Sequence, residues 1–439
     1  MAQPYSSQHT FLLNHNDKIN EHISPSKDPF VQEKIIAFDN DRYHNSHLGI
    51  QENVSSLSFL GPITGGVKLA RRDPNQPHNY IIYVRASSPY AKTLDYVYIR
   101  NDTSTVYIHS VDPLEPAQLN STVSTPFLTI DIILFVKPHT VQFGRGTSIS
   151  TTYLPISIHP DLWFETYHMT LSSTYGLITG IESLEFTAHA IRITTSSSSI
   201  VGNWSLPRSM TFTSKSGDID VNLVPKRWSS GPSTGSYIHA ETRRGDIAIR
   251  MPLEKDKLSL RNGTALISAP GGSISGTFVH GAITTLKSGY DITAKLLPYW
   301  AFYEWAGIQH NYITTQSGYG STTVEVLPPQ IHTYYGVNPL FFANSCHVQN
   351  GGGTMKLTYP GEWGGRAVGR ARHGGTVDVR GEDFEEIERN GTTVEIQRRP
   401  LGSKLLFETN MAVARLHLKP CSSPFCRISR IHMDEFPEK

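Results

Sequence analysis

The sequence predicts an all-β chain: an irregular right-handed β-solenoid, a β-helix-like stack of short strands with Gly-containing turns. Three observations predict it. Charged residues are 18% of the 439 positions, against about 25% in an average globular protein, and Ser, Thr, 35 Gly and 27 Pro take up the difference. Short runs alternate apolar and polar residues between Gly, Pro, Asn and Asp, the period-2 signature of strands with one buried face. Between Leu171 and Val326 one phrase recurs, as LSSTYGLITG, ITTSSSSIVG, FTSKSGDIDV, AETRRGDIAI, ISAPGGSISG, TTLKSGYDIT and TTQSGYGSTTVEV. It reads as an apolar residue, Thr or Ser, two or three polar residues, Gly, then alternating apolars.

Residues 1–50 are rich in His, Asn, Asp and Ser without a sustained period, and are expected to form a disordered polar tail. The β-solenoid repeat region is expected over residues 51–326, opening with LSFLGPITGGVKLARRD, NYIIYVRASS and LDYVYIRNDTSTVYIHS. Turn residues Gly176, Ser198, Gly217, Gly245, Gly272, Gly289 and Gly318 fall at intervals of 22, 19, 28, 27, 17 and 29 residues. A parallel stack tolerates such irregularity, because the stacking strand is fixed in length while the loop leaving it is free to grow. The glycines are expected where φ > 0 lets the chain reverse at little steric cost. Ile219, Val221, Ile247 and Ile249 are expected in the core, and Asp218, Asp220, Asp246 and Ala248 mostly in solvent. Residues 327–345 form a Pro/aromatic break, 346–418 resume the same solenoid with NGGGTMKLTYPGEW, HGGTVDVRG and NGTTVEIQ, and 419–439 read as a second polar tail.

Lys and Arg number 39 against 38 Asp and Glu, a formal charge of +1, so no global field drives binding to nucleic acid or anionic lipid. Cys346, Cys421 and Cys426 are too few for a disulfide framework or a four-ligand zinc site, and their pairing is left open. The most apolar run, Phe127 to Val136, is about half the roughly 20 residues of a spanning helix, and Asp131 interrupts it. The first twenty residues show no basic segment followed by an apolar one, so neither a signal peptide nor a transmembrane segment is legible.

The reiterated SGDI-x-V and RGDI-x-I phrase, with LTYPGEWGG, HGGTVDVRG, GSKLLFET and VARLHL near the end, resembles the "putative adhesin" domain family, a domain of unknown function found in bacteria and filamentous fungi. The resemblance covers roughly residues 57–418, and its part from Met355 to Leu418 is similar to fungal members. It implies a cell-surface or extracellular β-solenoid with an adhesin-like role. Such fungal members carry a cytoplasmic tail and one transmembrane helix, and this sequence departs from that plan in lacking the helix. A cell-wall carbohydrate or a surface protein is the implied partner class.

A carbohydrate-cleaving β-helix needs two carboxylates across a groove, about 5–5.5 Å apart for retention or 6.5–9.5 Å for inversion. Asp218, Asp220 and Asp246 are the best-placed candidates, with Asp218 and Asp246 expected to stack on adjacent turns of the stack. A Gly-Asp turn is what the repeat requires in any case, so the expectation is a non-enzymatic protein with no catalytic, cofactor-binding or metal-binding residue. No H-E-x-x-H, Walker loop or G-x-S-x-G elbow is present. Six N-x-S/T sequons, at Asn53, Asn101, Asn120, Asn203, Asn262 and Asn390, offer N-glycosylation sites. The aromatics Tyr299, Trp300, Tyr303 and Trp305 are candidates for partner contact, or for a cap over an open end of the stack. Arg243-Arg244 and Arg398-Arg399 flank strands and read as charged gatekeepers against edge pairing. The alternatives to an adhesin-like surface protein are a polysaccharide-active β-helix enzyme and an intracellular β-solenoid scaffold.

Overall fold

The computed structural model describes residues 10–13, 29–38, 47–54, 63–71, 75, 78–102, 104–110, 128–137, 146–159, 164–180, 186–225, 236–253, 263–301, 311–332, 343–398 and 403–420. These residues are almost entirely strand, with one helical turn at Ala91–Leu94. The chain divides into two compact units, Met1–Pro207 with Phe212–Gly217, and Arg208–Thr211 with Asp218–Lys439. In each, the strands fall into two sheets, and through much of each unit successive strands alternate between them.

In the first unit, one sheet runs Thr10–Leu13, Phe30–Phe38, Tyr80–Ser88 and Leu128–Val136, each antiparallel to the next. It continues in parallel through Ile63–Arg71, Ile156–Ile158, Ile178–Gly180 and Ile200–Leu206. The other sheet starts with an antiparallel pair, Val97–Asn101 and Thr105–Ser110. Parallel strands His47–Asn53, Gly146–Thr151, Phe164–Ser173 and Phe186–Thr195 follow.

Two expectations are corrected here. The stretch 1–50 is not a tail throughout: Phe30–Phe38 is a nine-residue strand in full register with Tyr80–Ser88, and Ile36 and Ala37 are buried. Its apolar run, IIAF, is too short to stand out from a polar background, and the partner that completes it lies some fifty residues away. The pairing is also not uniformly parallel, because both sheets of this unit begin with antiparallel strands.

In the second unit, Ile219–Pro225, Ile247–Arg250, Ile274–His280, Ile292–Ala301, Thr322–Val326 and Met355–Tyr359 stack in parallel. Opposite them stack Tyr237–Thr242, Thr264–Ala269, Ile283–Ser288, Asn311–Ser317 and Ala343–Gln349. Stacking order then departs from chain order. The late strands Ser403–Asn410 and Val413–Leu418 insert between the strands just before and just after Trp363, so Gly365–Arg372 and Thr376–Gly381 lie outermost of the parallel strands. An antiparallel hairpin, Glu385–Asn390 and Thr393–Arg398, covers Gly365–Arg372. Every residue of Glu385–Asn390 is exposed and most are charged, which guards a free edge against pairing with another chain.

The inward row alternates as expected. Ile219, Val221, Ile247 and Ile249 are fully buried while Asp218, Asp220 and Asp246 are exposed. Identical apolar side chains stack across the register, Ile219 beside Ile247, Ile247 beside Ile274 and Ile274 beside Ile292. Burying each contributes about 1.5–3 kcal/mol relative to leaving it in water.

The repeat glycine has a different cause from the one expected. Gly217 and Gly272 are not in the positive-φ region. A Cβ on Gly217 would overlap the carbonyl of Ser198, and one on Gly272 that of Gly245, the residue at the corner below. The glycine is needed because successive corners approach backbone to backbone, not because the chain turns through left-handed space.

Candidate functional site

The corners carry the polar chemistry of both units. The Ser or Thr of the repeated phrase sits three residues before its glycine, buried, with its hydroxyl oxygen accepting that glycine's N–H: Ser173 from Gly176 at 2.9 Å, Ser214 from Gly217 at 2.9 Å, Thr242 from Gly245 at 3.1 Å. These hydroxyls also tie neighbouring corners. Thr151 donates to Ser173 Oγ at 2.9 Å, and Ser288 to the carbonyl of Gly272 at 2.7 Å. The spacing Ser/Thr-x-x-Gly is the signal that this row turns inward and caps the turn.

The aspartates proposed as a catalytic set are used in the same way. Asp218 Oδ1 accepts the N–H of Asp246 at 2.8 Å, and Asp246 Oδ1 accepts the N–H of Ser273 at 2.7 Å. Asp291, which the sequence reading did not single out, accepts from Ser321 at 2.6 Å. Asp218 and Asp246 do stack on adjacent corners, but each carboxylate joins its corner to the next. Asp220 pairs with Arg250 at 2.5 Å. An Asp246→Ala substitution leaves the Ser273 N–H without this acceptor and is expected to cost about 0.5–1.5 kcal/mol, whereas Asp246→Asn keeps an acceptor oxygen and most of the stability. Urea unfolding of both variants checks this, and equal losses in the two would contradict it.

One carboxylate of the first unit is buried. Burial raises the pKa of Glu52, and backbone N–H groups oppose the shift: Oε1 accepts from Val54 at 2.6 Å and Oε2 from Thr152 at 2.7 Å. It fastens the end of His47–Asn53 to the corner at Thr152. The second unit encloses a polar chain that the sequence did not reveal. Thr315 Oγ1 lies 2.8 Å from His347 Nδ1, and His347 Nε2 lies 2.8 Å from the Tyr359 hydroxyl. Trp363 stands edge-on to Tyr359 at 5.8 Å, and all four side chains are fully buried. A second buried histidine, His280, contacts Thr284 at 2.9 Å through Nδ1.

Arg398 is corrected from gatekeeper to core residue. It is 3% exposed and donates twice to the carbonyl of Lys419 at 3.2 Å. Arg243 and Arg244 are exposed at a corner, and Arg399 lies outside the described residues. Asn53 and Asn390 are exposed, the latter at the hairpin turn with its side-chain oxygen accepting from Thr393 at 2.8 Å. Asn101 is half-buried at a strand end, Asn203 is half-buried within Ile200–Leu206, and Asn120 and Asn262 lie outside the described residues. Tyr299 and Trp300 continue the strand Ile292–Ala301, paired to Gln330 and Ile331. Tyr303, Trp305, Cys421 and Cys426 lie outside the described residues, and Cys346 is a free, half-buried thiol whose pKa burial raises.

Several large exposed side chains stand at corners. In the first unit Tyr153 stacks on Tyr175 at 5.0 Å with the rings 14° apart, and in the second Tyr290 and Tyr319 are 52% and 81% exposed on successive corners. Among the described residues no group of three or more His, Cys, Asp or Glu is placed to hold a metal ion, and no helix is long and apolar enough to cross a membrane.

Fold and surface together define an all-β protein in which Asp218, Asp246 and Asp291 join neighbouring corners and Asp220 pairs with Arg250. No family model and no curated protein matches the chain. Solved bacterial structures are similar to it. One from Parabacteroides distasonis, named a putative lipid binding protein, shares 9% identity at a TM-score of 0.33, over 76% of this chain and 98% of that one. One from Bacteroides fragilis, named a putative adhesin, shares 10% identity at a TM-score of 0.28, over 76% and 100%. One from Parabacteroides merdae, also named a putative adhesin, shares 9% identity at a TM-score of 0.29, over 74% and 95%. At such identities and scores, function does not transfer between the chains.

Proposed function

We propose that this chain is a non-enzymatic, adhesin-like β-solenoid that works at the cell surface by binding a cell-wall carbohydrate or a surface protein. The observation that carries this reading is the fate of the aspartates. The three offered as a hydrolytic set are each held in a corner-to-corner hydrogen bond or an ion pair, so none is placed as a paired acid and base. Alternation of parallel strands between two sheets supports the solenoid, and right-handedness is the usual sense of parallel crossovers. Corner tyrosines such as Tyr290 and Tyr319 supply contact surface, and exposed Asn53 and Asn390 are the sequons best placed to carry glycans.

Fluorescently labelled full-length chain, incubated with intact cells of its host and with their purified walls, is expected to bind saturably and to release no reducing sugar. Absence of binding to both would overturn the surface reading, and release of reducing sugar would overturn the non-enzymatic one.

A further inference from the structure

A depression of about 440 Å³ lies on the outward face of the first unit's mixed sheet, a size within the roughly 300–1,000 Å³ range of small-molecule sites. It exists because of one cross-strand row. Register sets Glu33 beside Arg85, Arg85 beside Asp131 and Asp131 beside Gly66, and the Val67 to Ile156 pairing puts Pro155 next in line. Three long charged side chains are thus followed by a residue with none.

Gly65 and Gly66 have separate reasons for being glycine. Gly65 has φ +106° and a Cβ there would overlap the Ile130 backbone, so the chain path demands it. Gly66 has no positive φ, and its Cβ would come to 3.3 Å from the Pro155 carbonyl and 3.4 Å from its ring, a tight contact without overlap. Backbone conformation therefore does not demand a glycine at 66, and its missing side chain leaves the floor open beside Asp131.

The chemistry around that floor is mixed and electrically balanced. Arg85 is shared with Glu33 at 3.6 Å, and the Tyr83 hydroxyl donates to the same carboxylate at 2.6 Å. Asp131 and Lys68 make no hydrogen bond or ion pair to a described residue, and the Ser157 and Thr179 hydroxyls face the depression in the same state. Two cations and two carboxylates cancel, so neither an anion such as phosphate nor a divalent cation is favoured. What remains is an open shelf with unspent donors and acceptors on three sides, floored by Gly66, Pro155 and Ile133.

We propose that this depression is a binding site for a neutral, hydroxyl-rich ligand, a sugar ring of a glycan, with Asp131 accepting from its hydroxyls, Lys68, Ser157 and Thr179 donating to them, and Pro155 and Ile133 beneath its apolar face. This rests on the carbohydrate branch of the functional reading above.

The test is calorimetry and saturation-transfer NMR on the full chain, with chitohexaose, laminarihexaose, mannohexaose and inorganic phosphate as probes. Two variants accompany the wild type: Asp131→Asn, which keeps the shape and removes the charge, and Ser157→Tyr, which fills the depression from a solvent-facing strand position. The expected result is binding of at least one hexasaccharide, weakened at least tenfold in both variants while their circular dichroism matches wild type. Phosphate binding without saccharide binding, no saccharide binding, or saccharide binding that neither variant weakens would overturn the site. Cell-wall binding by a wild-type chain that takes up none of the probes would remove the site and leave the surface reading standing. Saccharide capture without cell binding would do the reverse.

Discussion

Lowering the pH from 7 to 4.5 is expected to strip about 2–3 kcal/mol of stability for each of His280 and His347, a loss absent from a His280→Gln/His347→Gln double variant. Both rings are fully buried, and burial pushes the pKa of His280 down to about 4 and that of His347 to about 3. In the unfolded chain each takes up a proton near pH 6.5. The folded state binds fewer protons throughout the interval, so the stabilising share is complete above about pH 6.5 and drains away as the pH falls towards the folded values. Together the two histidines put about 5 kcal/mol at stake, as much as the whole stability of a marginal domain. Ion-paired carboxylates such as Glu325, held down by Lys419, add an acid slope of their own, so the difference between wild type and double variant is the quantity to read. Urea midpoints at pH 7, 6, 5 and 4.5 give it directly. Parallel pH profiles for the two proteins would show that the histidines are not held neutral by the fold.

Trp204→Ala is expected to destabilise the first unit by about 3–5 kcal/mol, the largest effect of a single substitution there. Trp204 is 2% exposed, donates through Nε1 to the Val201 carbonyl at 3.3 Å, and meets Phe212 edge-to-face at 6.3 Å. Its indole fills space that Gly180 leaves, since a Cβ on Gly180 would overlap the ring. Gly180→Ala therefore displaces the same indole by overpacking and is expected to cost about 1–3 kcal/mol with no atom removed from the core. Urea unfolding followed by tryptophan fluorescence separates the cases: a loss below about 1 kcal/mol in Trp204→Ala would mean the ring is not packed as described.

The sequence was strongest where a local rule leaves little choice. Alternation around Gly217 and Gly245 assigned Ile219, Val221, Ile247 and Ile249 to the core, because side chains on a strand point to opposite faces and only one face was apolar. It was weaker where the same residue type serves two purposes. Glycine at a corner suits either positive φ or close backbone approach, and only the position of the Ser198 carbonyl shows that Gly217 serves the second. Likewise Asp218 and Asp246 read as turn residues or as a catalytic pair until their acceptors' partners, the N–H groups of the next corner, are seen.

By itself, then, the sequence determined that the chain is built of short strands with one apolar face, where those strands break, and that its repeat varies in loop length. These follow from side-chain periodicity and turn chemistry, which act over a few residues. Tertiary structure alone decided which strand lies beside which. Strands Ser403–Asn410 and Val413–Leu418 carry the same alternation as their neighbours, so nothing in their pattern announces that they insert between earlier strands. The same holds for the depression, whose Gly66, Asp131 and Pro155 are brought together only by the register of three strands. Periodicity fixes which face of a strand is buried, while the choice of partner depends on the fit of whole strands across long loops, an energy that no short window of sequence contains.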